Sequence, residues 1–313
     1  MKKIFYAKET HMIISIKRTF LTGILATTLT MSAPAIVSAT SSVWKISKNK
    51  QHLFIGGTIH ILSADDYPLP CEFDAAYSVS DKVFFETDIS PDKLAKASID
   101  MLTKGTYPVG ETIANHLSEP TAKQLKSYIA SLGMPAEQFM SFKPGILMSI
   151  TAIAELSKIG IKAEGVDQFL FNRAKQDNKP TDYFEEISEQ IDFLVNLGVG
   201  NEENFIKYSL ENSKNLESQF VQMRENWRNG KLEQLANISK VDELREKFPK
   251  VFSTLLTNRN QQWLKRIDSL IESAEIEYIL VGALHLTEEE GLLARLEAKG
   301  YQITQAGCEY KKG

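Results

Sequence analysis

Two of the five histidines follow the same short pattern, in which an apolar run leads to a glycine, two further residues and the histidine. His60 ends "IGGTIH" and His285 ends "VGALH". A single histidine after a strand is more often held by a backbone partner than by a ligand, so the repetition favours a site. Glycines at Gly56, Gly57 and Gly282 would let a substrate or metal approach the strand ends, or would serve ordinary tight turns.

Acidic residues complete the candidate set. Glu86 and Asp88 end the apolar run "KVFFETD", and Glu185 ends "TDYFE". Each acid alone is read as a surface charge or helix cap, more strongly for Asp88 than for Glu86, which follows a run that is typical of a buried strand. Imidazole and carboxylate together suit Mn, Co, Fe or Zn, and a metal held by few side chains keeps positions for water. The set therefore indicates a hydrolytic metal site.

Arg259 lies in "LLTNRNQQWL", on a predicted helix, where it would pair a structural acid or stabilise an oxyanion. The common catalytic signatures are absent from the sequence: there is no G-x-S-x-G elbow, no H-E-x-x-H, no G-x-x-x-x-G-K-[ST] and no cysteine in a plausible triad order. Hydrolysis by a serine or cysteine nucleophile is therefore not indicated.

Strand and helix patterns repeat around both histidines. After a predicted hairpin around "KNK" come His60, the short helix "CEFDAAYSVSD" and the strand "KVFFETD"; near the C-terminus "EYILVGALHL" leads to the helix "TEEEGLLARLEAKG" and the strand "YQITQ". Such units favour a parallel sheet with helical crossovers, and ligands gather at the carboxyl ends of its strands. We predict an α/β fold in which two strand-GxxH-helix-strand units form a mainly parallel sheet, with a large helical middle region.

The domain organisation follows from the same patterns. Residues 40–313 are predicted to form a single domain with a helical insertion at about 91–273. Residues 1–39 are typical of a secretory signal peptide, because Lys17 and Arg18 precede an apolar run that closes on "VSA" at Ala39; Met12 is the better start. An uncleaved membrane anchor is the alternative, but Thr, Ser and Pro34 interrupt the run.

The expected product is therefore periplasmic or secreted, with no stable membrane insertion after cleavage. Exactly two cysteines are present, Cys71 and Cys308, and an even count in an oxidising compartment predicts one disulfide; two unpaired buried thiols are the alternative. The net charge of −4 over 313 residues offers no basic field, so nucleic acid is not expected as a partner. No pattern specifies an oligomeric state.

The ordered motifs of the chain resemble the TraB/GumN family, which is related to the Tiki metalloproteases and more remotely to the erythromycin-esterase and ChaN-like proteins. The resemblance covers nearly all of the mature chain. The motifs, in order, are "FIGGTIHIL", "VFFETD", "FKPGILMSI", "AEGVDQFLFNRAKQDNKP", "FEEISEQIDFL", "NRNQQWL" and "VGALHLTEEEGLLARLEAKGYQI".

The resemblance implies a metal-dependent active site that falls on His60, Glu86 and His285. It also implies catalytic roles for Glu86 itself, for Arg259 in an Arg-Asn motif, and for Glu185 in a second acidic motif. The implied activity is that of an exported metal-dependent hydrolase, first of all a peptidase acting on a peptide or protein, with Mn or Co favoured and Zn or Fe as alternatives.

Two departures from the family pattern and two other functions stay open. Gly145 stands where the family commonly has tryptophan, which puts an expected pocket wall in doubt. Glu288 stands where a glycine usually follows the second histidine by three, which puts the loop shape beside His285 in doubt. The resemblance also allows a non-catalytic peptide-binding or regulatory protein of the pheromone-shutdown type. A haem or iron binder, in which exposed histidines are axial ligands, is the third possibility.

Overall fold

A six-stranded sheet runs through the centre of the protein in the computed structural model, which describes residues 41–310. The predicted signal peptide, the start at Met12 and the cleavage after Ala39 lie outside these residues and stay predictions. The strands are β1 (Val43–Lys48), β2 (Gln51–Thr58), β3 (Ile61–Ser63), β4 (Lys82–Thr87), β5 (Ile161–Glu164), β6 (Thr181–Glu185), β7 (Glu277–Gly282) and β8 (Gln302–Gln305).

The sheet has the order β6-β4-β7-β2-β1-β8. Strands β6, β4, β7 and β2 are parallel neighbours, and β1 is antiparallel to both β2 and β8, so five of the six strands share one direction. The predicted hairpin around "KNK" is the β1–β2 pair. The prediction of an α/β fold with a mainly parallel sheet is confirmed. Strands β3 and β5 form a separate antiparallel pair.

Helices account for most of the remaining chain. They are α1 (Cys71–Val79), α2 (Pro91–Lys104), α3 (Glu119–Ser131), α4 (Ala136–Phe139), α5 (Pro144–Lys158), α6 (Val166–Gln176), α7 (Ile187–Asn196), α8 (Glu202–Ser213), α9 (Leu216–Arg228), α10 (Leu232–Ile238), α11 (Val241–Lys247), α12 (Pro249–Phe252), α13 (Asn258–Leu270) and α14 (Leu292–Ala298). A π-helical turn at Ser253–Thr257 joins α12 to α13, and a 3₁₀ turn at Ala283–Leu286 carries His285. Among residues 41–310, no helix is long and apolar enough to cross a membrane.

Both faces of the sheet are covered by apolar side chains. Successive residues of a strand point to opposite faces, so Tyr278 packs with α1, α6 and α9 on one side and Ile279 with α13 and α14 on the other. Phe54 and Ile55 of β2 divide in the same way. This arrangement explains the nearly continuous apolar runs of β2, β4 and β7, since a parallel sheet covered on both faces has no solvent side.

The segment between the two GxxH units is mainly helical, but it also supplies β6 to the edge of the main sheet and β5 to the small one. Gly145 lies where α5 crosses α7: a Cβ there would come within 2.3 Å of the Leu194 carbonyl oxygen and 2.6 Å of Leu197 Cβ. Glycine in place of tryptophan had put an expected pocket wall in doubt, and this packing leaves no space for a larger side chain. Glycine is required because the two helices approach closely.

The predicted disulfide is confirmed. Cys71, the first residue of α1, is bonded to Cys308, which follows β8, with a Cα–Cα distance of 5.1 Å. The bond ties the region after the first GxxH turn to the end of the last strand.

Candidate functional site

Four parallel strands deliver the predicted site residues to one edge of the sheet. In β2 and β7, Thr58 lies opposite Gly282, so the two histidine turns leave adjacent strands side by side. On the other side of β7 lies β4, which carries Glu86 near its end, and then β6, which ends at Glu185. Because the carboxyl ends of parallel strands meet at one edge, residues far apart in the sequence lie together.

Glu86 lies at the centre of this group, and only 7% of it is exposed. Its Oε1 accepts the backbone N–H of Gly282 at 2.6 Å, and its Oε2 accepts from Arg259 Nη2 at 2.5 Å and from Gln190 Nε2 at 2.8 Å. Burial alone would raise the pKa of Glu86, but the charge of Arg259, with His285, His60 and the Gly282 N–H, lowers it to about 2. Glu86 is therefore an ionised carboxylate.

Arg259 connects the two acids to His285. Its Nε and Nη2 donate to Glu185 Oε1 at 3.0 and 2.5 Å, and its Nη1 donates to His285 Nε2 at 2.9 Å. Gln190 also donates to Glu185, at 2.9 Å, so the amide joins both carboxylates. Burial would lower the pKa of Arg259, but the two carboxylates raise it. The cluster holds a fixed positive charge between acceptors.

His285 is buried, at 3% exposed, against the ring of Trp263, whose centroid lies 4.4 Å away. Burial lowers the pKa of His285 to about 3, so the ring is neutral. Its Nδ1 lies 2.7 Å from Asn260 Oδ1, and the neutral tautomer that satisfies both contacts has Nδ1–H donating to Asn260 and Nε2 accepting from Arg259. Asn260 thus fixes both the orientation and the tautomer of the ring.

His60 has the opposite environment. Its side chain is 71% exposed, and its Nδ1 lies 2.8 Å from Asp167 Oδ2. The other oxygen of Asp167 accepts the Thr58 hydroxyl at 2.6 Å, so the carboxylate is anchored to β2. The charge of Asp167 raises the pKa of His60. Since Nδ1 is bound to Asp167, Nε2 is the nitrogen left for a ligand.

Gly282 borders the space between the three predicted ligands. A Cβ at this position would lie 3.2 Å from Glu86 Oε1, 3.7 Å from His285 Cδ2 and 4.0 Å from His60 Nε2. The absence of a side chain keeps this space open, as the sequence suggested.

The same interpretation is wrong for Gly56 and Gly57. A Cβ on Gly56 would come within 2.7 Å of the Tyr278 hydroxyl, and one on Gly57 within 3.1 Å of Ala283 Cα. These glycines allow β2 to pack closely against β7 and the second histidine turn.

Three side chains that hold the site had no role assigned from the sequence. Asp167, Asn260 and Gln190 all lie inside the quoted motifs, which was the available signal, but their partners His60, His285 and Glu86 are distant in sequence. Asp88, by contrast, lies apart from the cluster. Its Oδ1 accepts the backbone N–H of Ser90, the N-cap residue of α2, at 2.9 Å, so Asp88 stabilises the turn before the helix and does not cap it.

The donors of the predicted metal site are of the types that bind a divalent ion in proteins. Two imidazoles have Nδ1 held by an acceptor, and an ionised carboxylate lies between them, which is the pattern that surrounds protein metal ligands. Arg259 already places a positive charge against Glu86 and His285 Nε2, so a metal ion would have to displace this guanidinium.

The three predicted ligand residues are spaced more widely than the ligands of a closed metal site. Nε2 of His285 lies 3.8 Å from Glu86 Oε1. Among residues 41–310, only Cys71, Glu72 and Cys308 bring three possible ligand atoms of Cys, His, Asp or Glu within 4.8 Å of one another, and the two sulfurs of that group are bonded to each other.

Three cavities meet at the cluster. One of about 220 Å³ lies beside His60 and His285 and has an apolar wall that includes Met223, Leu235 and Leu256. A second, of about 210 Å³, lies between α7 and α13 beside Glu185 and Arg259. A third, of about 190 Å³, lies beside His60, Glu86 and Asp167. The polar cluster is therefore accessible from more than one side, as an extended substrate requires.

Comparisons with known proteins agree with the ordered motifs. The model of the TraB/PrgY/gumN family matches residues 42–305. The chain is also similar to an uncharacterized protein, YbaP, of Escherichia coli strain K12, with 24% identity over 246 residues that cover 77% of this chain and 86% of that protein. YbaP of Shigella flexneri is similar to the same extent.

Proposed function

The chain belongs to the TraB/PrgY/gumN family, and from this premise we propose that it is an exported metal-dependent hydrolase that cleaves peptides. The observation that carries the proposal is the pair of histidine rings whose Nδ1 atoms are held by Asp167 and Asn260. Nε2 of each ring thereby faces the space beside Glu86 and Gly282, where Arg259 Nη1 already donates to Nε2 of His285. Within residues 41–310, neither ring bonds a backbone group, as a purely structural loop histidine is expected to do.

His60, Glu86 and His285 would hold the metal, with Mn or Co favoured and Zn or Fe as alternatives. When bound, the ion would acidify a water molecule and polarise the carbonyl of the substrate. Asp167 and Asn260 keep the two rings in one orientation, so that Nε2 would bind the metal once His60 has lost a proton and Arg259 has left His285. The protein contribution is therefore preorganisation of the ligands.

Arg259 and Glu185 act on charge. Arg259 presents a buried guanidinium beside Glu86, where it stabilises negative charge that develops on a substrate oxygen. Glu185 holds the guanidinium by accepting from two of its nitrogens, and Gln190 fixes Glu185 against Glu86. Substitution of Arg259 or Glu185 should reduce turnover more than metal content.

A peptide or protein substrate is supported by the cavities on several sides of the cluster. The apolar wall near Leu256 suits an apolar side chain, and the separate space beside Glu185 leaves room for the chain to continue. Export is supported by the sequence pattern alone. Intact-mass measurement of the exported protein should give a chain that starts at Thr40, and a full-length membrane-retained species would overturn the processing proposal.

A second candidate is a non-catalytic peptide-binding or regulatory protein. One contact favours it: Arg259 Nη1 already occupies Nε2 of His285, a nitrogen that a metal would need. In this case the cavities would bind a peptide without cleaving it. The haem or iron alternative stays a prediction.

The test begins with elemental analysis of the purified mature protein, followed by digestion of a peptide library with Mn, Co or Zn added. Substitutions His60→Ala and His285→Ala should each lose metal and reduce hydrolysis by at least about 100-fold. The matched control is His116→Ala, because His116 bonds Glu111 at 2.7 Å and stacks on Tyr107, away from the cluster.

The outcomes separate the candidates. Metal-stimulated cleavage that both variants lose supports the hydrolase. Peptide binding without turnover at any metal supports the second candidate. If both variants keep full metal occupancy and full hydrolysis, the site lies elsewhere and the proposal is wrong.

A further inference from the structure

A buried carboxylate lies beside an exposed disulfide, on the part of the molecule that carries α1. Cys71 and Cys308 are both exposed, whereas Glu72, the next residue of α1, is 0% exposed. Oε1 of Glu72 accepts no hydrogen bond from any described protein group. Its Oε2 lies 3.8 Å from Cys71 Sγ, and that sulfur has no hydrogen to donate while it is bonded to Cys308.

This arrangement favours the reduced form of the cysteines. A buried carboxyl group without a donor is costly, because it has lost its hydrogen bonds to water and gained none from protein. Reduction gives Cys71 an S–H group, which is a donor at the position that faces Glu72 Oε2. The dithiol form therefore gains a hydrogen bond that the disulfide form cannot make.

The disulfide can also be reached by a small molecule. Cys308, the sulfur to be attacked, is exposed, and on the other side of the bond Cys71 and Glu72 line a cavity of about 610 Å³ that Arg224 and Arg228 of α9 also line. Cys71 is the first residue of a nine-residue helix, where the helix dipole stabilises a thiolate. The dipole offsets part of the repulsion between a released Cys71 thiolate and the nearby Glu72 carboxylate, and protonation of that thiolate then gives the S–H donor that Glu72 accepts.

We propose that Cys71–Cys308 is an exchangeable disulfide, which forms a mixed disulfide with low-molecular-weight thiols and uses Glu72 as the hydrogen-bond acceptor for the released Cys71 thiol. In the first step a thiolate RS⁻ attacks Cys308 Sγ, the S–S bond breaks, and Cys71 leaves as a thiolate that takes a proton from water. A second RS⁻ attacks the RS sulfur of the mixed disulfide, which releases Cys308 as a thiolate and RSSR. Two thiolates are oxidised to RSSR, the protein disulfide gains two electrons, and Cys308, like Cys71, takes a proton from water.

The exchange is expected to be reversible, because other contacts hold the C-terminal segment in place. The backbone N–H of Ala306 donates to the Val43 carbonyl at 2.9 Å, and the ring of Tyr310 packs edge-on against Phe54 at 4.9 Å. These contacts do not involve sulfur, so they keep Cys308 near Cys71 after reduction. Reoxidation then needs no refolding of the segment.

The experiment equilibrates the purified folded protein with defined ratios of reduced to oxidised dithiothreitol, traps thiols with a maleimide and measures the reduced fraction. Wild type should be reduced reversibly without unfolding. Glu72→Leu removes the unpaired carboxylate and should require about a tenfold higher ratio for half reduction. Incubation with reduced and oxidised glutathione should give a glutathione adduct on Cys308, located by mass spectrometry.

Two controls keep the test decisive. Glu225→Gln changes an exposed acid on the wall of the same cavity and should leave the half-reduction ratio unchanged. If Glu72→Leu does not fold by circular dichroism, Glu72→Gln should shift the ratio in the same direction by a smaller factor. The proposal is overturned if the wild-type disulfide is reduced only on unfolding, or if the Glu72 variant that folds has the wild-type ratio.

Discussion

The two GxxH turns share a spacing and leave adjacent parallel strands, yet they place their histidines in opposite environments. After β2, His60 is mostly exposed and bonds the carboxylate of Asp167, which raises its pKa. After β7, His285 is buried and bonds the amide oxygen of Asn260, and burial lowers its pKa to about 3. The repeated motif therefore fixes where a histidine leaves the sheet, while its partner and its burial set its charge.

The difference also means that binding a metal ion would require a different change at each ring. His285 is neutral, so its Nε2 lone pair is available, but Arg259 must leave it before another cation can bind. His60 has a freely accessible Nε2 but must lose a proton first, because its pKa is raised. We infer that the two histidines would enter a metal site by different steps, although the sequence presents them as equivalent.

Exchanging the two partners is the strongest way to test this comparison. Asp167→Asn removes the carboxylate beside His60 and should lower the pKa of that ring. Asn260→Asp adds a carboxylate beside His285 and should raise the pKa of that ring above about 3. Metal affinity or turnover should fall about 10- to 100-fold in each variant. Histidine NMR titrations of the metal-free proteins check the direction, and unchanged pKa values in both variants would show that the partners do not set the charge.

Alanine at the two motif glycines should separate activity from stability. Gly282→Ala places a methyl group 3.2 Å from Glu86 Oε1, at a backbone conformation that alanine tolerates, so kcat/KM should fall about tenfold or more at nearly constant stability. Gly57→Ala places a methyl group 3.1 Å from both Cα and Cβ of Ala283 and should cost about 1–3 kcal/mol of stability through overpacking. Urea unfolding and kinetics on the same preparations check both. The reverse pattern, with Gly57→Ala as the inactive but stable variant, would contradict the roles given to these glycines.

The smallest expected effect concerns the loop after His285. Glu288 has φ of 61°, in the left-handed region that favours glycine, and the resembled family commonly has glycine there. Glu288→Gly should relieve the backbone but lose the partly exposed ion pair with Arg245, so the free energy of unfolding should change by less than about 1 kcal/mol. Thermal unfolding measures the net change. A large loss of kcat/KM in this variant would mean that Glu288 helps to hold His285.

The position of the site on the sheet could be predicted from the sequence because it depends on local patterns. Apolar runs mark the strands, and the rule that parallel strands end at one edge brings His60, Glu86, Glu185 and His285 together. The disulfide followed from the number of cysteines and the export pattern. None of these inferences needed the orientation of a helix.

The contacts inside the site could not be predicted in this way. Asp167 reaches His60 only because α6 returns over the end of β2. Asn260 reaches His285 only because α13, through Trp263, packs on the face of the sheet that carries Ile279. These are tertiary contacts between distant segments, and the spacing of residues in the sequence does not indicate them. The same reason explains Gly56, Gly57 and Gly145, whose neighbours belong to other elements and are visible only after packing.

The place of β1 in the sheet has a consequence for how the chain is made. Among residues 41–310, β1 is the first strand and β8 the last, yet β1 lies between β2 and β8 in the sheet. During synthesis from the N-terminus, one side of β1 lacks this partner until residues 302–305 emerge, and an unpaired strand edge is a template for association with other chains. Deletion of residues 302–310 should leave this edge permanently open and make the protein aggregate, even though every residue of the candidate site would still be present.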